Sequence, residues 1–370
     1  MTIDVLIVGA GIIGAACADA LAAEGLAVMV VEREAVGSGA TAAGMGHLVV
    51  MDDNPAELAL TSYSVALWRQ LVATDPRRHE YSRCGTLWIA ADDEEMAVAR
   101  EKQHTLSEHG IACEMLDAAS LYACEPQLRP GLRGGLRVNA DAVVYPPKSA
   151  ALLLARAQSR GARLCSGQVI AINDNGVLLA DGSEIHASKV LVANGSASVQ
   201  LLPELPIRHK KGHIVITDRY PGMINHQLVE LGYIKSAHAA DGDSVAFNLQ
   251  PRPTGQLLIG SSRQFDVTDK TVEPAILARM LAHAASFVPA LTNLHALRCW
   301  TGLRAASSDG LPLIGPHPSR PNVWLATGHE GLGITTSLAT AQLLCAQIVG
   351  QQSKIPIAPY LPARFEQLRN

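Results

Sequence analysis

Three observations predict an α/β chain with a second, sheet-based part. Near the N-terminus a buried-looking run, Ile3 to Val8, leads straight into Gly9-Ala10-Gly11-Ile12-Ile13-Gly14, an Ala-rich helical stretch and a second apolar run, Val28 to Val31. The same texture returns at Lys189 to Ala193 and again at Val323 to Ala326. Between Ile207 and Ser262 the pattern changes to short alternating runs separated by Gly, Pro and Asp. Apolar runs of strand length alternating with helical periodicity indicate a parallel sheet, and short alternating runs indicate an antiparallel or mixed one. The expected architecture is therefore a Rossmann-type unit joined to an α+β unit with a mixed or antiparallel sheet.

The elements follow in order. Ile3 to Val8 reads as a parallel strand, Ile12 to Glu24 as a helix closed by Gly25, and Val28 to Val31 as the next strand, a βαβ unit. Residues 56–73 and 93–109 have helical periodicity, and Gly85 to Ala90 reads as a strand. A helix over 148–160 ends at Gly161. It is followed by a strand from Arg163 to Ile172, a hairpin at Asn173 to Gly176, and strands at Val177 to Leu179 and Lys189 to Ala193. A helix is expected from about Glu273 to Phe287, a Gly/Pro loop after Trp300, and a final helix from Thr335 to Val349. The chain thus crosses between two discontinuous units, 1–80, 141–205 and 298–370 forming one and 81–140 and 206–297 the other.

Composition narrows the function. At 370 residues the chain exceeds the usual size of a single core, and 48% apolar with 17% charged residues describes a compact folded protein. The 34 acidic residues outnumber the 30 basic ones, and the only dense basic run is Arg208-His209-Lys210-Lys211, so nucleic acid is not an expected partner. Seven scattered cysteines with no C-x-x-C pair argue against an iron–sulfur cluster carried by this chain and fit a reducing, cytoplasmic setting. The apolar stretch from Val5 to Val31 is interrupted by Asp19 and Glu24, so no transmembrane segment is expected, and a strand starting at Ile3 leaves no room for a signal peptide ahead of it. His209-x-x-x-His213 lacks the glutamate and helical context of a zinc site, and no metal is assigned.

The glycine run carries the first chemical signal. Gly9 permits a tight turn, Gly11 lets backbone N–H groups approach a pyrophosphate, Gly14 allows close packing of helix on strand, and Glu32 at the end of the next strand can accept from ribose hydroxyls. FAD and NAD share this fingerprint. Two further stretches favour FAD: the small-residue run from Gly37 to Gly46 with the Thr41 hydroxyl, and Gly328-His329-Glu330-Gly331-Leu332-Gly333-Ile334-Thr335, which ends a strand and opens a helix. A helix N-terminus at the flavin pyrimidine edge stabilises the negative charge that appears there on reduction.

These residues resemble the D-amino-acid oxidase, glycine oxidase and sarcosine oxidase family of flavoproteins over almost the whole chain. The resemblance is carried by DVLIVGAGIIGAACADAL with Glu32, ATAAGM at 40–45, VVYPPKSAALLLARAQSRGARL, LVANGSAS at 191–198, GLRAASSDGLPLIG at 302–315 and ATGHEGLGITTSLATA at 326–341. It implies a glutathione-reductase-like FAD-binding domain with a substrate domain beside it. It further implies FAD contacts from Ile12 and Ile13, Glu32 and Arg33, Ala40 and Thr41, Ala43, Gly44 and Met45. The backbone of Val169 would lie near the adenine, with Ala193, Gly195 and the Gly331, Leu332, Gly333, Ile334, Thr335 turn completing the set.

At the substrate end, the resemblance implies that Arg304, in a loop rich in Gly, Ser and Asp, grips a substrate carboxylate. The chain departs from the family pattern in two places: Ala305 replaces the proline after that arginine, and Asn248, beside Phe247, stands where glycine oxidases carry a tyrosine. Met45 and His47 are expected to border the ring, His47 either as a structural histidine or as a base. Two classes of activity remain: a stand-alone oxidase of glycine, a D-amino acid or sarcosine that makes hydrogen peroxide, and the FAD subunit of a multi-component dehydrogenase that passes electrons to partner subunits with iron–sulfur or flavin centres. The stretches MGHLVVMDDNPAEL and GHEGLGITTSLATAQLL are more similar to the β subunits of hydroxyproline, opine and related amine dehydrogenases. D-hydroxyproline or D-proline is the expected substrate on that reading. The Arg208 to Lys211 run is either a solvated charged run or a phosphate site for FMN at a subunit interface.

Overall fold

Strand Val5–Val8 is buried along its whole length and has a parallel neighbour on each side, which explains why four consecutive apolar residues are needed there. In the computed structural model, which describes residues 2–232 and 242–368, it lies inside a six-stranded sheet. The order is Leu313–Pro316, Val323–Thr327, Lys189–Val192, Val5–Val8, Val28–Glu32 and Arg163–Ser166. All neighbours run parallel except Leu313–Pro316, which is antiparallel to Val323–Thr327. Helices Ile12–Ala23, Pro146–Ser159 and Gly333–Val349 share one buried cluster with that sheet, through Ala15, Ala150 and Ala339 among others. Small residues at these contacts let the helices approach closely.

The second large sheet has eight strands: Ala296–Ser307, Ile207–Arg219, Gln256–Phe265, Ser244–Pro251, Gln227–Glu230, Thr86–Ala90, Gly134–Val138 and Glu114–Asp117. Its pairs are antiparallel except Gln227–Glu230 with Thr86–Ala90, so the sheet is mixed. Helix Pro274–Phe287 covers one face through Met280 and Ala284. The predicted α/β class with a second, mixed sheet is what the chain adopts.

Three local expectations are corrected. The strand expected from Arg163 to Ile172 is two strands, Arg163–Ser166 and Val169–Asn173, because the chain turns at Gly167 and its second half leaves for a three-stranded antiparallel sheet with Gly176–Leu179 and Glu184–His186. The short strands expected after Ile207 begin instead with one 13-residue strand, Ile207–Arg219, long because neighbours on both edges satisfy its backbone. The loop expected after Trp300 is the end of strand Ala296–Ser307, so Arg304 sits on a strand and belongs to the eight-stranded sheet. Its small, polar composition reads as a loop, but pairing with Ile207–Arg219 supplies the hydrogen bonds a loop would lack.

Candidate active site

A cavity of about 1330 Å³ reaches from the Gly9 turn to the face of the eight-stranded sheet. Clefts for small ligands are typically about 300–1,000 Å³, so there is room for an extended dinucleotide with a substrate beside it.

At the nucleotide end, Gly9 has φ 102°, a conformation that disfavours side chains. A Cβ on Gly14 would lie 2.0 Å from the Gly9 carbonyl oxygen. Gly14 therefore packs helix against strand and does not line the cavity, whereas Gly9, Gly11, Ile12 and Ile13 do. Helix Ile12–Ala23 starts at Gly11 with no side-chain cap from that residue, and its Ile12 N–H is donated to Thr41 Oγ1 at 3.0 Å. This ties the 37–46 loop to the helix N-terminus. Glu32 accepts from the Ala10 N–H at 2.6 Å and from the Glu34 N–H at 2.8 Å, which holds its carboxylate across the strand ends with lone pairs to spare for hydroxyl donors. Arg33 lines the cavity close by and pairs with Glu34 at 3.4 Å.

The remaining nucleotide-end residues converge from distant segments. Ala40, Thr41, Ala43, Gly44 and Met45 line the cavity, as do Val169, Ala193 and Gly195. Gly331, Leu332, Gly333 and Ile334 line it ahead of helix Gly333–Val349, whose N-terminus also lacks a side-chain cap. Thr335 stands back from the cavity: its hydroxyl donates to the His47 carbonyl at 2.8 Å, holding the His47 strand against that helix. Two helix N-termini opening on the cavity, small residues along its wall and a carboxylate at a strand end fit the pyrophosphate, ring edge and ribose of FAD.

The substrate end is charged. Arg304 and Lys210 are cross-strand partners on Ala296–Ser307 and Ile207–Arg219. Arg304 donates to the Ser262 carbonyl at 2.5 Å and its guanidinium lies 3.8 Å from Glu330, which in turn pairs with Lys210 at 2.7 Å. Glu330 has φ 50°, and its N–H is donated to the Ala305 carbonyl at 2.8 Å, which anchors the turn on the Arg304 strand. Burial opposes ionisation of Glu330, but Arg304 and Lys210 outweigh it and hold the carboxyl at about 2. Burial lowers His47 to about 4, with the Asn248 side chain pulling weakly the other way, so its imidazole is neutral at neutral pH. The His47 ring and the Asn248 side chain engage each other, and both residues line the cavity. The Met45 carbonyl accepts from Gln250 Nε2 at 2.7 Å, tying the loop to the sheet.

The cations of the Arg208–Lys211 run are engaged within the chain. Arg208 pairs with Asp266 at 2.6 Å, Lys210 with Glu330, and the buried Lys211 with Asp269 and Glu273 at 3.1 and 3.0 Å. Arg208, His209 and Lys210 line the cavity, whereas Lys211 does not. His213 bonds Ser262 Oγ at 2.9 Å and accepts from the Glu273 N–H at 3.0 Å. Among the described residues no group of three or more His, Cys, Asp or Glu could hold a metal, and no helix is long and apolar enough to cross a membrane. Sequence reasoning missed Lys210 and Glu330 at the site, although both lie in stretches it singled out, the basic run at 208–211 and the glycine-rich turn at 328–335.

Fold and cavity together define a dinucleotide-dependent oxidoreductase of the flavoprotein kind. The chain belongs to the FAD dependent oxidoreductase (DAO) family, whose model matches residues 4–347; it is an FAD-dependent enzyme. It is 31% identical to a glycine oxidase of Pseudomonas aeruginosa over 98% of this chain and 99% of that protein. It is 27% identical to hydrogen cyanide synthase subunit HcnC of the same species, over 99% and 97%. The crystal structure of glycine oxidase from Geobacillus kaustophilus superposes with a TM-score of 0.87 at 26% identity, covering 98% of each chain.

Proposed function

We propose that this chain is the FAD-bearing catalytic subunit of a multi-component dehydrogenase that oxidises a small amino acid or secondary amine at its CH–NH bond, with D-hydroxyproline and D-proline as the leading substrates. The observation that carries the reading is the Arg304–Glu330–Lys210 constellation at the end of the cavity opposite the glycine turn. The guanidinium of Arg304 matches a carboxylate in two-pronged fashion. Glu330, ionised beside it, accepts from the substrate amine, and the two contacts together fix the orientation of the α-carbon. FAD supplies the hydride acceptor when bound. His47, neutral at the pH of the reaction, adds no charge beside the ring position. Oxidation leaves an imine, which departs or is hydrolysed.

The subunit assignment draws on the likeness to HcnC, whose name describes it as a subunit. The likeness to glycine oxidase favours a second reading, a stand-alone oxidase. Purified, FAD-loaded chain separates the two: substrate-dependent reduction of an artificial dye without hydrogen peroxide is the expected result, and peroxide in proportion to substrate consumed establishes the oxidase.

A further inference from the structure

The sheet that floors the substrate end carries polar side chains that the reading above leaves unused. Strands Ser244–Pro251, Gln227–Glu230 and Thr86–Ala90 are adjacent, with Asn248 opposite Val229 and Val229 opposite Trp88. Two residues earlier, Gln227 stands opposite Thr86. Alternate residues of a strand share a face, and these five side chains all line the cavity, so they form one continuous surface.

Two of them present unpartnered atoms. Trp88 is 4% exposed and its indole Nε1–H has no acceptor. Gln227 is fully buried; its amide nitrogen donates to Thr86 Oγ1 at 3.2 Å and to the Ala142 carbonyl at 3.3 Å, leaving Oε1 without a donor. The neighbouring Asn248 side chain is engaged with His47. Buried polar atoms nearly always find a partner, so two on one face of a cavity, one a donor and one an acceptor, call for a ligand that supplies the missing bonds.

We propose that this face is the subsite for the substrate side chain and that it selects an uncharged group able both to accept and to donate a hydrogen bond, a hydroxyl or a carboxamide. An ammonium cannot accept from the Trp88 N–H, a carboxylate cannot donate to the Gln227 amide oxygen, and an apolar side chain leaves both atoms unpaired. Lys102, 4.5 Å above the Trp88 ring, is ion-paired with Asp52 and lends the face no uncompensated cation. The inference rests on the amine-oxidation reading and adds the side-chain chemistry to it.

The test compares matched amines on the FAD-loaded chain under anaerobic conditions, reading loss of the oxidised flavin absorbance. D-4-hydroxyproline is set against D-proline, D-serine against D-alanine, and D-asparagine against D-2-aminobutyrate. Binding of tetrahydrofuran-2-carboxylate and its 4-hydroxy form, which have no amine to oxidise, is measured by calorimetry as a readout independent of turnover. The hydroxyl- or amide-bearing member should be favoured at least about tenfold; the hydroxyproline and serine pairs report a hydroxyl preference and the asparagine pair a carboxamide one. Trp88→Phe, which keeps the ring and removes the N–H, and Gln227→Met, which keeps the length and removes the amide oxygen, should each shrink the preference about five- to tenfold, as loss of one hydrogen bond does. Equal handling of all three pairs, or variants that slow both members of a pair alike, overturns the subsite and leaves amine oxidation standing. A flavin that no amine bleaches overturns both.

Discussion

Lys210 and Arg304 are direct cross-strand partners, and one carboxylate, Glu330, lies 2.7 Å from the first and 3.8 Å from the second. The Arg304 guanidinium is thus oriented by Glu330 and the Ser262 carbonyl before any substrate arrives. Each charge-assisted hydrogen bond is worth roughly 1.5–3 kcal/mol. Arg304→Ala should therefore raise KM for an amino-acid substrate by about 100-fold or more while the purified protein keeps its flavin absorbance. Steady-state kinetics beside an absorbance spectrum check both halves.

Thr41 links the 37–46 loop to the N-terminus of the nucleotide helix through a single hydrogen bond from the Ile12 N–H. Thr41→Val keeps the shape and removes the acceptor. FAD affinity should fall about five- to tenfold, the scale of one hydrogen bond, as measured by fluorescence titration of the apoprotein with FAD.

Glu57 lines the same cavity and is raised to about 7, by burial first and then by the carboxylates of Asp53 and Glu330. Its carboxyl is neutral below that value and charged above it. Ionisation adds negative charge to the wall of the proposed carboxylate site, so KM should rise between pH 6 and pH 8, by roughly two- to fivefold at the dielectric of a partly hydrated site. Glu57→Gln should flatten that rise, as a KM–pH profile of both proteins will show.

Asp141 is fully buried and raised from 3.8 to about 7, burial outweighing the lowering effect of the Thr86 hydroxyl. Because the folded-state value is the higher one, the favourable contribution of its protonated form is complete below about pH 4 and is lost as pH rises through 7. Asp141→Asn should therefore melt a few °C higher than the parent at pH 8, with the gain shrinking as pH falls toward 4. Thermal denaturation at a series of pH values tests the sign.

Local spacing made the nucleotide end readable. The Gly9 turn, the helix from Ile12 and Glu32 fall within one βαβ unit, and each residue's task follows from its neighbours in sequence. Arg304 was legible as a residue but not as part of a strand: Gly302, Ser307, Ser308 and Gly310 around it look like turn chemistry, and the partner strand lies far upstream. Glu330 was visible inside its glycine-rich turn, yet nothing local indicates that the turn meets Lys210. The row of Asn248, Val229 and Trp88 depends on the register of three strands, and register is set by tertiary pairing. The Arg208–Lys211 run looked like a surface feature because four successive basic residues rarely form a central strand; internal ion pairs make it possible here.

Anaerobic titration of the FAD-loaded chain with D-proline and, separately, with pyrrolidine, the same ring without its carboxylate, tests the central claim most directly. Flavin bleaching by D-proline, with pyrrolidine at least about 100-fold less effective, is the predicted result. An oxidised spectrum that D-proline leaves unchanged, or equal bleaching by the two compounds, would contradict the account.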